Sequence, residues 1–176
     1  MDKREMIFEN FKNIQDLIKF IDQKAGALLV LYGFLLTAFI EFSKKLSFVN
    51  INEITGLNEK ILSFLTLITG LALVLFITYQ FYIIIVLILK PRTAKHYQTG
   101  ESSLFYYYHI SKIGKEQLID QYKSMDEDAL TVNLLGQVFE VSKILDKKTV
   151  YFAKTTNHLL LTGIILLFFI LLSYIV

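Results

Sequence analysis

The side chains that could do chemistry are few and badly grouped for catalysis. The three histidines are His96, His109 and His158, and none stands four residues from another, as a helical metal pair requires. There is no HExxH, no GxSxG and no Gly-rich phosphate loop. Cysteine is absent, which removes thiolate zinc sites and disulfides together. The acidic triplet Asp126-Glu127-Asp128 reads as a helix start, with Asp126 as N-cap and two acids in the favoured first turn. No catalytic residue, no metal site and no cofactor is expected, and the chain is not read as an enzyme.

Binding chemistry has better candidates. The run Phe105-Tyr106-Tyr107-Tyr108 offers four adjacent rings. In an extended segment Phe105 and Tyr107 face one way, Tyr106 and Tyr108 the other. One reading packs one side on protein and turns the other to the membrane or a neighbouring subunit. The other makes Phe105 and Tyr107 a base-stacking platform, with Lys112 or Lys115 near a phosphate. Lys147 and Lys148 are further candidates for phosphate contact. Glu41 is the one ionisable residue inside an otherwise uncharged stretch, read either as an interfacial carboxylate or as a pore rim. Asp22 is expected to pair with Arg92 or Lys154, since all three fall near one membrane boundary.

The elements that must position these residues follow from where charge is missing. The chain has 176 residues, 54% hydrophobic and only 19% charged, against roughly 25% charged in a typical soluble domain. Ala25–Phe42 (18 residues) carries one acid, while Ile61–Leu89 (29) and Leu159–Val176 (18) carry no charge at all. Stretches of about 18 or more uncharged apolar residues nominate membrane spans. A soluble single-domain enzyme is thereby nearly excluded, and the net charge of +2 leaves no footprint for a nucleic-acid polymer.

Basic residues orient the spans. The tail before the first span and the long loop Lys90–His158 share one side and hold 15 of them, against 3 in the short loop 43–60. That side is expected to be the cytoplasm, with the C-terminus external. The tail, 1–24, reads as a helical stalk entering the first span, 25–42. Its seam Ile7, Phe11, Ile14, Ile18, Ile21, Ala25 is heptad-like, and no Gly or Pro interrupts it before Gly26. The second span, 61–89, is about 43 Å long against a hydrocarbon core of about 30 Å, so its inner end is expected to join the cytoplasmic bundle before Pro91 stops it. An aromatic segment with a short helix at Lys115–Lys123 fills 90–125. A last cytoplasmic helix, 126–158, with seam Leu134, Val138, Val141, Leu145, Phe152, broken once by Lys148 on the same face, runs into the third span, 159–176, as one rod of about 77 Å. The expected fold is an all-α membrane protein, with three transmembrane helices extending into a small cytoplasmic helical bundle. Gly26, Gly33 and Gly70 are candidate points of close helix contact.

In their order and spacing, several blocks resemble the transmembrane effector family of Pycsar antiphage systems (PycTM-like proteins). They are Asp22-Gln-Lys-Ala25 leading into the first span, Pro91-Arg92 after a long second span, and Ser103-Leu-Phe-Tyr-Tyr-Tyr-His-Ile110. Two more are the short helix Gln117–Tyr122 and Gln137-Val-Phe-Glu-Val-Ser-Lys-Ile-Leu-Asp-Lys-Lys148. The chain departs from the pattern at Tyr106, where a second Phe is usual, and at Tyr107, where a Gly or small polar residue is usual. The resemblance implies an effector of the bacterial inner membrane. A cyclic pyrimidine mononucleotide (cUMP or cCMP) made during phage infection would activate it, and it would compromise the membrane as abortive infection. A homo-oligomer is expected. Rival readings are a membrane scaffold that assembles partners and a constitutive small channel.

Overall fold

The structure, a computed structural model, describes residues 2–44, 46, 56–93 and 103–175. Its described elements are all helical: α1 (Lys3–Ser43), α2 (Leu57–Tyr82) continuing as a π-helical segment (Ile83–Leu89), α3 (Tyr107–Ile110), α4 (Lys115–Ser124) and α5 (Glu127–Ile175). Three of these helices are long and apolar enough to cross a membrane: α1, α2 with its π segment, and α5. Most of the expected short loop 43–60 lies outside the described residues, as does His96.

The long helices exist because nothing in their sequences stops them. Residues 3–43 and 127–175 contain no proline. Asp126 caps α5 as its sequence suggests, its Oδ1 accepting from the Ala129 N–H at 2.7 Å. The second span ends where Pro91 forbids further helix. Its last two turns, however, are wider than the sequence foretold: the Lys90 N–H donates to the Ile85 carbonyl, five residues back, at 3.0 Å.

The chain forms two compact units. The first comprises Met1–Ile21 and Pro91–Thr149, the second Asp22–Lys90 and Val150–Val176. Both α1 and α5 contribute residues to each unit.

In the first unit Ile7, Leu104, Tyr106 and Leu134 are buried, and Phe11, Ile14 and Ile18 are half-buried along α1. The α5 seam is less apolar than expected. Gln137, Glu140 and Lys148 are among its most buried positions, while Val138, Val141 and Leu145 are half-buried.

In the second unit Ala25, Leu28, Leu73, Ile77, Ile84, Leu166 and Phe169 fill the interior. Leu160, Ile164, Leu167, Leu171 and Tyr174 form an exposed stripe at helical spacing, an apolar face suited to lipid. Hydroxyls in the spans bond back along their own helices, as Thr66 does to the Leu62 carbonyl (2.9 Å) and Thr69 to the Leu65 carbonyl (2.8 Å). Of the three candidate glycines, only Gly70 meets a neighbouring helix; a Cβ at Gly26 or Gly33 would have nothing within 4 Å.

Candidate functional site

The aromatic run is shaped by a buried serine. Ser103, 1% exposed, donates its hydroxyl to Asn133 Oδ1 at 2.7 Å. That hydroxyl accepts from Gln137 Nε2 at 2.9 Å and from the Phe105 N–H at 3.2 Å. The Ser103 N–H donates to His109 Nδ1 at 2.9 Å, so His109 carries its ring proton on Nε2. Asn133 and Gln137 stand one helical turn apart on α5, so a single hydroxyl pins the start of the run to that helix. On the other side the Tyr122 hydroxyl, from α4, donates to the Leu104 carbonyl at 3.1 Å.

Held this way, the run does not stay extended. Tyr106 is the buried residue before α3, and the Ser111 N–H closes the turn on the Tyr107 carbonyl at 2.8 Å. The strict alternation expected of an extended segment is therefore replaced by a helical turn. Tyr106 points inward against the His109 ring (centroids 4.9 Å apart, nearly perpendicular) and Tyr107 (5.2 Å). Tyr107 is 65% exposed and Tyr108 45%, while Phe105 is half-buried. Lys112 Nζ sits 4.2 Å from the Tyr108 ring centroid, within cation–π range.

The remaining sequence candidates are placed as follows. Phe105, Tyr107, Lys112 and Lys115 fall within one short stretch of the first unit, and Lys115 opens α4 with its side chain exposed. Lys147 is exposed and Lys148 is 3% exposed. Both lie at least ten residues beyond Gln137 on α5, about 15 Å along the axis, so they are not gathered with the turn. Arg92 is half-buried in the first unit, and Asp22 is half-buried in the second. Lys154 is exposed, with its Nζ 6.0 Å from the Tyr79 ring centroid. Glu41, near the C-terminal end of α1, is exposed and bonds Lys44 at 2.7 Å. Among the described residues no group of three or more His, Cys, Asp or Glu could hold a metal.

Sequence reasoning about the site missed Asn133 as the partner of Ser103 and Tyr108 as the more cation-associated of the exposed rings. The signal available for the first was spacing: Asn133 and Gln137 are polar positions one turn apart beside the Leu134 seam.

The turn presents two exposed rings, Tyr107 and Tyr108, the second with the Lys112 ammonium over it, a combination that suits a planar heterocycle bearing an anionic group. Among known proteins, a family model described as Pycsar effector protein domain (PycTM) matches residues 6–176, nearly the whole chain. No curated protein and no solved structure matches it.

Proposed function

The chain belongs to the Pycsar effector protein family, which supports a role in cyclic-nucleotide-signalled antiphage defence, and from that premise we propose that it is a ligand-gated membrane-permeabilising effector of the bacterial inner membrane. The activating ligand in this reading is a cyclic pyrimidine mononucleotide, cUMP or cCMP. Its base stacks on the exposed ring of Tyr107, with Phe105 and Tyr108 as neighbouring rings of the run, and its phosphate meets Lys112 and Lys115. Lys147 and Lys148 would serve only if a second subunit brought them to the turn.

The observation that carries the reading is that α1 and α5 each run without a break from the first unit, which holds the aromatic turn, into the apolar stretch. A change of packing at the turn thus acts on the same rods that cross the lipid. The turn is tied to α5 through Ser103. Binding that favours one arrangement of α5 shifts the population of the spans by its differential affinity. The basic residues support an orientation with the turn and the N-terminus in the cytoplasm.

Self-assembly has its own support. Val132, Leu135 and Phe139 are exposed along α5 at spacings of three and four, in the first unit and well before the apolar stretch begins. In the proposed orientation they lie outside the stretch that lipid would cover. A second copy in the same membrane presents the same residues at the same height.

Purified protein in liposomes tests the proposal. Release of a trapped dye on addition of cUMP or cCMP, and not of cyclic purine nucleotides, is expected. A diglycine inserted after Gln23 should leave ligand binding intact and abolish release. Equal release without nucleotide would make the chain a constitutive channel, and no release under any condition would make it a scaffold.

A further inference from the structure

The three membrane helices meet at a polar node that lies wholly within the second unit. Tyr32 of α1, Gln80 of α2, and Thr155 and Thr162 of α5 are each fully buried. The Tyr32 hydroxyl donates to the Thr155 carbonyl at 2.9 Å. Gln80 Nε2 donates to His158 Nδ1 at 2.9 Å, and the half-buried His158 ring lies against Phe76 with centroids 5.2 Å apart. Thr155, His158 and Thr162 recur every three to four residues, so they share one face of α5. Gln80 is the only carboxamide in the uncharged stretch 61–89.

Two atoms of this node are unsatisfied. Gln80 Oε1 and Thr155 Oγ1 are buried with no hydrogen-bond partner. An orphaned buried polar atom is costly in any interior, and no lipid-facing position relieves it. A bundle that needed only to stay closed would be better served by leucine and valine here. Polar residues inside spans ordinarily face a bundle interior or a water-filled path. The opposite faces of the same helices, with Leu71 and Leu75 on α2 and Leu160, Ile164, Leu167 and Leu171 on α5, are apolar and exposed.

We infer that the node is the lining of the permeation path: Gln80, Thr155, Thr162 and Tyr32 face one another at rest and face water and small ions when the activated helices part. Water supplies the partners that the two orphaned oxygens lack, so opening is favoured at this face. The inference rests on the permeabilising reading, and its tests separate the two. The double variant Gln80→Leu/Thr155→Val removes the orphaned atoms, and with them the Gln80–His158 bond, at roughly constant side-chain volume. It should insert normally and release dye at least about tenfold more slowly with cUMP or cCMP. Wild-type release together with unchanged release by the variant overturns this inference and leaves the permeabilising reading standing; no release from wild type overturns both.

The absence of native cysteine allows a second readout that needs no leak. Thr155→Cys should react with a membrane-impermeant thiosulfonate at least about tenfold faster when cUMP or cCMP is present. Leu167→Cys, on the exposed apolar face, should stay unreactive in both conditions. A Thr155→Cys protein whose reactivity does not change with nucleotide overturns the assignment, whatever the dye shows.

Discussion

Gly70 offers the sharpest perturbation of the membrane bundle. A Cβ built there would lie 3.0 Å from Phe169 Cε2, 3.4 Å from Phe39 Cε2 and 3.5 Å from Phe169 Cδ2. The two rings are themselves a tilted pair with centroids 4.8 Å apart, so neither can retreat without disturbing the other. Gly70→Ala asks the Phe169 ring to give by a few tenths of an ångström and should cost at most about 1 kcal/mol. Gly70→Val adds two further methyl groups at the same spot. Overpacking of that size costs about 1–3 kcal/mol, and loss of the ring pair accounts for roughly 0.5–1.5 kcal/mol of such an effect. Ala also regains about 1 kcal/mol of helix propensity over Gly, so in a titration with SDS from mixed micelles, followed by helical ellipticity, the Val midpoint should fall below those of both wild type and Ala. Gly163, whose Cβ would meet nothing within 4 Å, supplies the control: Gly163→Val should move the midpoint by less than about 0.5 kcal/mol. A Gly70→Val protein as stable as wild type, or a Gly163→Val protein equally damaged, would refute the packing argument.

Three further outcomes are expected. Ser103→Ala removes the hydroxyl that bonds Asn133 and the buried Gln137 and should cost about 1 kcal/mol, seen as lost amide-exchange protection over residues 103–110 with α2 unaffected. Asp126→Ala removes the cap of α5 and should weaken its first turn by about 1 kcal/mol, measured as faster exchange at Ala129 and its neighbours; unchanged exchange there would mean the cap contributes nothing. Tyr32→Phe removes one buried hydrogen bond between α1 and α5 and should lower stability in the SDS titration by roughly 0.6–1.5 kcal/mol, and an unmoved midpoint would count against that bond.

The helices were legible because hydrophobic periodicity and missing breakers are local signals. The seam from Ile7 to Ala25, the Asp126 cap and the stop before Pro91 are all read from residues a few positions apart, and the structure has each of them. Tertiary hydrogen bonding was not legible. Nothing local to Tyr106-Tyr107-Tyr108 says that Ser103 is tied to Asn133, 30 residues on, yet that bond helps fix where the run turns helical. Gln80 was hidden for a related reason: it sits in an uncharged stretch, and its importance comes from a histidine 78 positions away. The π-helical turns of Ile83–Leu89 have no compositional signature at all in a run of isoleucine, valine and leucine.

The division of α5 between the two units has a mechanical consequence. The boundary after Thr149 leaves 23 residues on one side and 26 on the other, arms of about 35 and 39 Å. No proline interrupts α5 on either side of that boundary, so its backbone hydrogen-bond ladder crosses it intact, and a strain placed on one arm finds no break in the backbone at which to relax.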